Sequence, residues 1–219
     1  MVEETDIAVV GAGGGGAVLA LALAQKGINT IVFEQAPGPP QGLRGEILQP
    51  NGQQVLDRLG LLSQLPVEST RTVHKFHFFR VGGERLCTVD YSELPPPYNQ
   101  AVVTLPNVAH HAILSAIERE PSVSLRYRSA FTGLLRENGR VVGLTAKQGE
   151  DHVTVKAKVV VGADGAFSKV REALQIPADL HLYPQGYLIA LLDAAIPLGE
   201  AKYFVGKRTI LGMFPAAGD

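Results

Sequence analysis

Gly11-Ala12-Gly13-Gly14-Gly15-Gly16 follows the apolar run Ile7 to Val10 and leads into the run Ala17 to Ala24. Glycine at 11, 13 and 16 is the spacing a strand-to-helix turn needs to receive a dinucleotide's pyrophosphate. The first permits the tight turn, the second removes a Cβ from the path of the phosphates, and the third lets the helix lie close against the sheet. Gly14, between them, is counted with the site. Glu34 ends the run Thr30 to Phe33 at roughly 20 residues beyond the glycines, where a carboxylate accepts hydrogen bonds from both hydroxyls of an adenosine ribose. Gln35 adjoins it. The same negative charge repels a ribose 2′-phosphate, so the pattern favours FAD or NAD over NADP.

A second turn repeats this logic. Val159-Val160-Val161 empties into Gly162-Ala163-Asp164-Gly165, and a helix is expected from Ser168 to Leu174. An Asp-Gly pair alone is an ordinary turn, but here the carboxylate of Asp164 stands at the carboxyl end of an apolar strand, where open α/β sheets bind ligands. Arg171, one helical turn beyond Ser168, can pin the Asp164 turn, reach the Glu34 region, or meet the cofactor.

The elements that must hold these residues follow from periodicity and breakers. Strand 7–10, helix 14–26 stopped by Gly27, and strand 29–34 make a βαβ unit. A Pro/Gly loop covers 35–40, and a helix after Pro50 runs through Val55, Leu56, Leu59 and Leu62. Alternation from Val73 through Phe76, Phe78 and Val81 to Val89 reads as a hairpin about Gly82-Gly83. A helix is expected over 108–119. Residues 123–161 read as a three-stranded antiparallel insert or edge with turns at Asn138-Gly139 and Gly149, its last run Ala157 to Val161 covered on both faces like a parallel strand. Strands are expected at 187–192, 202–205 and 209–214. The fold class is therefore α/β: a Rossmann-like dinucleotide domain, residues 1–71 and 100–175, with an inserted or second antiparallel sheet, residues 72–99 and 176–219, truncated at the C-terminus.

Other chemistries find little support. The 219 residues carry a formal charge of −1 and no basic block, against the clustered Lys and Arg that nucleic acid requires. Cys87 is the only cysteine, which excludes an intrachain disulfide and suits a reducing, cytoplasmic location. Glu3, Glu4 and Asp6 rule out a basic secretory leader, and Ala17 to Ala24 is too short to span a bilayer. His110 and His111 point about 100° apart on a helix with no ligand type at i+3 or i+4, so no metal is expected. No Ser-His-Asp set stands at convincing spacing. The aromatic strands at Phe76 to Phe79, Tyr91, Tyr98 and 187–192 form the expected wall of a substrate crevice, and His77 can face a bound ring. A homodimer is kept open.

Three separated motifs resemble the aromatic-hydroxylase group of FAD-dependent monooxygenases, which includes squalene monooxygenase: the glycine turn ending in Glu34, Arg44-Gly45-Glu46-Ile47-Leu48-Gln49-Pro50-Asn51-Gly52, and Gly162-Ala163-Asp164-Gly165 with Ser168 and Arg171. The resemblance implies FAD, NADPH as reductant, O₂ as oxygen donor and a hydrophobic, aromatic or polycyclic small molecule as substrate. It implies no catalytic acid–base set, because the cofactor carries the chemistry. It places Arg44 near the flavin and its phosphates, the alternative being a surface ion pair with Glu46. A reductase of the geranylgeranyl-reductase type, or a non-catalytic FAD-binding fragment, would share the motifs. The family's further Gly-Asp motif is expected beyond Asp219. Where relatives carry an arginine at the start of the helix near 108, this chain has Asn107, His110 and His111 instead.

Overall fold

The computed structural model describes residues 2–41, 46–179 and 181–216. In chain order its elements are β1 Glu3–Val10, α1 Gly14–Ala24, β2 Thr30–Phe33, β3 Glu46–Leu48, α2 Pro50–Arg58, β4 Thr70–Val73, β5 Lys75–Arg80, β6 Arg85–Asp90, β7 Ala101–Thr104, α3 Val108–Glu118, β8 Val123–Arg126, β9 Ser129–Glu137, β10 Arg140–Gln148, β11 Asp151–Gly162, α4 Lys169–Ala173, β12 Ala201–Val205 and β13 Ile210–Met213. Contacts group them into two units, Met1–Pro40 with His110–Gly186 and Gln41–Ala109 with Tyr187–Asp219. Residues 41–71 and 100–109 thus cluster with the second unit.

The first unit is built on a six-stranded sheet in the order β8-β2-β1-β11-β10-β9. Ile7 lies opposite Thr30 and Val10 opposite Phe33 in the parallel β1–β2 pair, with α1 as the crossover. α1 buries Gly16, Ala17, Ala20, Leu21 and Ala24, one stripe at helical spacing. It ends at Ala24, two residues short of Lys26. Gly27, at φ +69°, returns its N–H to the Ala24 carbonyl at 2.8 Å. An L-residue would be strained in that left-handed closure.

β11 is the long element, with 12 residues. One edge pairs antiparallel with β10, Leu144 opposite Val155, and the other pairs parallel with β1, Ile7 opposite Val159. Of the antiparallel stretch expected over 123–161, β9, β10 and β11 make the far half of the same sheet, whereas Val123–Arg126 is β8, paired parallel with β2 at the opposite edge. Asn138-Gly139, at φ +50° and +80°, makes the tight β9–β10 turn. Ala8, Val10, Ile31, Phe33, Leu144, Ala146, Val155, Ala157 and Val170 form the core. The expected cover on both faces of 157–161 is not found, since Val159 is 50% exposed. A continuous apolar run fixes a strand, but which of its faces meets protein depends on distant chain.

The second unit holds two sheets, β3-β7-β4 and β13-β12-β5-β6. β5 and β6 form the expected hairpin, closed by Gly82 and Gly83 at φ +113° and +102°. Val73 belongs to β4 and pairs with Ala101 in the other sheet, so the alternation changes sheets at His74. Val73, Phe76, Ala101, Val103 and Ala201 are the core, flanked by Phe78, Tyr91, Tyr203 and Phe214. α2 stops at Arg58, where Gly60 turns back at φ +72°; Leu56 and Gln53 are buried, whereas Val55 is 41% exposed. No strand forms at 187–192, and Leu188 is 91% exposed. A run of apolar residues makes a strand only where a neighbouring strand accepts its backbone hydrogen bonds. The architecture is the α/β class expected, a Rossmann-like core with an antiparallel-rich β domain. Among the described residues no helix is long and apolar enough to cross a membrane.

Candidate dinucleotide site

The glycines of the first turn divide by what surrounds them. Gly11 has φ +98° and donates its N–H to the Phe33 carbonyl at 2.8 Å; a Cβ there would stand 2.5 Å from the Ala163 oxygen. At Gly16 a Cβ would run into the Gly11 carbonyl oxygen. These two let backbone pack on backbone. Around Gly13 and Gly14, by contrast, a Cβ would meet no atom within 4 Å. Gly13 is the N-cap of α1, which has no side-chain cap and no acidic residue in its first turn. An uncapped helix start has amides seeking an acceptor and the positive end of the helix dipole, and bare glycines let an anion approach both.

Glu34 lies at the carboxyl end of β2, half-buried, beside this turn. Its Oε2 accepts the Ala12 N–H at 2.8 Å, and its Oε1 accepts the Ala36 N–H, also at 2.8 Å. Two backbone amides therefore fix the carboxylate, and each oxygen keeps a lone pair for a ribose hydroxyl. Gln35, the next residue, is exposed. The Ala12 peptide is held on its other side too. His110 of α3 places Nε2 at 2.8 Å from the Ala12 carbonyl oxygen, which can only accept, so Nε2 carries the proton. His111 likewise reaches the Pro40 carbonyl at 3.0 Å. Asn107 is 6% exposed and takes φ +64° just before α3. His110 was not among the site residues read from sequence; its lone signal was its place in the segment where an arginine was expected.

The second turn lies against the first, with the Ala163 N–H donating to the Val10 carbonyl at 2.7 Å. Gly165 provides the left-handed corner at φ +85°. The Asp164 carboxylate is fully engaged: Oδ1 accepts the Ser168 hydroxyl at 2.5 Å, and Oδ2 accepts the Lys169 and Val170 amides at 2.6 and 3.2 Å. Ser168 Oγ in turn accepts the Arg171 N–H at 3.0 Å, completing the cap of α4. Burial acts to raise the Asp164 pKa, but the Ser168 hydroxyl and the backbone amides outweigh it and hold the group below its ordinary value of 3.8. Arg171 donates to the Ala166 carbonyl at 2.8 Å, which ties its side chain to the Asp164 turn.

The structure thus brings Gly11, Gly13, Gly14, Gly16, Glu34, Asp164, Gly165 and Arg171 together in one unit. Arg44 lies outside the described residues. The open glycine cradle, the uncapped helix start and the oriented carboxylate fit the adenosine diphosphate half of a dinucleotide. His77, in the second unit, has Nδ1 at 2.9 Å from Thr88 Oγ1 and is engaged across its own hairpin.

Residues 4–207 match the family model described as FAD binding domain. The chain is 37% identical over 214 residues to 6-methylpretetramide 4-monooxygenase of Streptomyces rimosus, covering 95% of this chain and 50% of that protein. It is 34% identical over 180 residues to kynurenine 3-monooxygenase of Salinispora arenicola, covering 77% and 38% respectively. Among solved structures, PqsL of P. aeruginosa in complex with 2-aminobenzoylacetate superposes with a TM-score of 0.83 at 23% identity, over 99% of this chain and 59% of that one. The chain spans at most about half the length of these curated relatives. It belongs to the FAD-binding domain family of the aromatic-hydroxylase-like, class A flavoprotein monooxygenases.

Proposed function

We propose that the protein is an FAD-dependent monooxygenase that inserts one oxygen atom from O₂ into a largely apolar, aromatic or polycyclic small molecule at the expense of NADPH. The observation that carries this reading is the 37% identity to a monooxygenase, which runs over 95% of the chain. FAD supplies the redox chemistry and the reaction with O₂. The protein's share is position and shielding. Gly11 and Gly16 set the turn, Gly13 and Gly14 admit the diphosphate, Glu34 with Gln35 beside it takes the ribose, and Arg44 meets the diphosphate or the reduced flavin. Asp164, Gly165 and Arg171, on the neighbouring turn, complete the cofactor-binding set. Phe78, Tyr91, Tyr203 and Phe214, half-buried around the core residue Phe76, present stacked and edge-on rings, Phe78 on Tyr203 at 4.7 Å and Tyr203 against Phe214 at 5.2 Å. Such a surface excludes water and suits a flat apolar substrate. The functional division proposed is 1–71 with 100–175 for the cofactor and 72–99 with 176–219 for the substrate, in a cytoplasmic protein whose single cysteine is free and exposed.

Supplying the FAD-loaded protein with NADPH, ¹⁸O₂ and a panel of aromatic and polycyclic compounds tests the reaction. One labelled oxygen per product is expected. A product two hydrogens heavier, unlabelled and formed equally well without oxygen, would assign a reductase instead.

A further inference from the structure

The Ala12–Gly13 peptide is gripped at its carbonyl by a residue 98 positions away in the chain, the Nε2 of His110 at 2.8 Å. A trans peptide is planar, with its C=O and N–H directed oppositely. Fixing the Ala12 carbonyl toward His110 therefore aims the Gly13 N–H the other way. Gly13 is the N-cap of α1 and borders space in which a Cβ would meet nothing within 4 Å. The preceding amide, Ala12 N–H, is already committed to Glu34 Oε2 at 2.8 Å. Glu34 and His110 thus hold one residue from both sides, the carboxylate by its N–H and the imidazole by its C=O. That leaves the peptide plane little freedom to rotate, although the glycine that follows it would otherwise permit rotation.

We propose that His110 is a positioning residue of the dinucleotide site: it locks the Ala12–Gly13 peptide so that the Gly13 N–H is presented to the diphosphate. The proposal rests on the FAD reading above. It assigns His110 a task distinct from that of a phosphate-binding arginine, since the imidazole acts through the backbone and touches no phosphate itself. A flat ring with one N–H aimed along its edge suits that task, whereas a residue lacking a donor at the same reach leaves the carbonyl, and with it the amide, to turn.

The test compares His110→Met, which lacks the donor, with His110→Gln, whose amide nitrogen can occupy the place of Nε2. Affinity for FAD is read by quenching of flavin fluorescence, and affinity for ADP by calorimetry, in proteins of matched thermal midpoint. One neutral hydrogen bond predicts an affinity about 3- to 10-fold weaker for His110→Met toward both ligands, and within about twofold of the parent for His110→Gln. Should His110→Met unfold, His110→Asn, polar but one methylene shorter than Gln, takes its place with the same expected loss. Equal affinities of the parent and the donor-less variant overturn the proposal, as does a loss confined to FAD and absent with ADP. A parent protein that binds neither ligand overturns the FAD reading itself, and this inference with it.

Discussion

The corner after β1 and the corner after β11 are built alike until their helices begin, and then they diverge. Both are neighbouring strands emptying into glycine turns, packed so closely that a Cβ at Gly11 would strike Ala163. α1, with 11 residues, starts on a bare glycine with no side-chain cap. α4, with 5 residues, starts under Ser168 and Asp164, whose oxygens take the amides of Lys169, Val170 and Arg171. The protein satisfies one helix start from within and leaves the other for a ligand.

Substitutions can break this contrast. The largest effect is expected from Gly16→Val, whose Cβ would meet the Gly11 carbonyl; overpacking of backbone on backbone costs about 3 kcal/mol, seen as a lower midpoint in urea unfolding. Glu34→Ala comes next, weakening FAD by about one to two powers of ten in calorimetry, because it removes a charge-assisted acceptor for the ribose. Asp164→Ala removes the cap of α4 and lowers unfolding stability by about 0.5 to 2 kcal/mol. The same cap carries a pH signature. With its folded pKa depressed below 3.8, Asp164 contributes stability that is complete above the ordinary aspartate range and is lost as pH falls through the lower, folded value. Acid unfolding followed by circular dichroism should therefore differ between parent and Asp164→Ala above that range and converge below it. Smallest in stability is Gly13→Ala, within about 0.5 kcal/mol, since open space surrounds the position. If FAD affinity also stayed unchanged in that variant, the two corners would differ in form but not in use.

What could be read from residues alone was local. The β1–α1–β2 unit, the turns at Asn138-Gly139 and Gly149, and the short helix at Ser168 all announce themselves within a few positions, through glycine placement and apolar period. Pairing partners are another matter. Nothing in the run Asp151 to Gly162 says that it serves an antiparallel hairpin on one edge and β1 on the other. The apolar run at 187–192 resembles a strand but has no ladder to join. His110 stands where relatives carry an arginine, but its hold on a carbonyl 98 residues distant has no local signal. The Glu34 position was legible, whereas the two amides that orient its carboxylate became visible only with the loop in three dimensions.

The pairing of β1 with β11 also bears on how the molecule comes into being. Val10 meets Gly162, so the centre of the sheet joins segments separated by about 150 residues of intervening chain. During synthesis β1, α1 and β2 emerge before β11, so β1 waits for its second neighbour while about 150 further residues are made. Closing so long a loop costs entropy before the contacts reward it, which makes assembly slow and the edge of β1 an aggregation risk in the interval. The hairpin β9–β10 and its partner β11 are, by contrast, contiguous and can form at once. The nucleotide corner, which needs Gly11 beside Ala163, is accordingly among the last parts of the first unit to be completed.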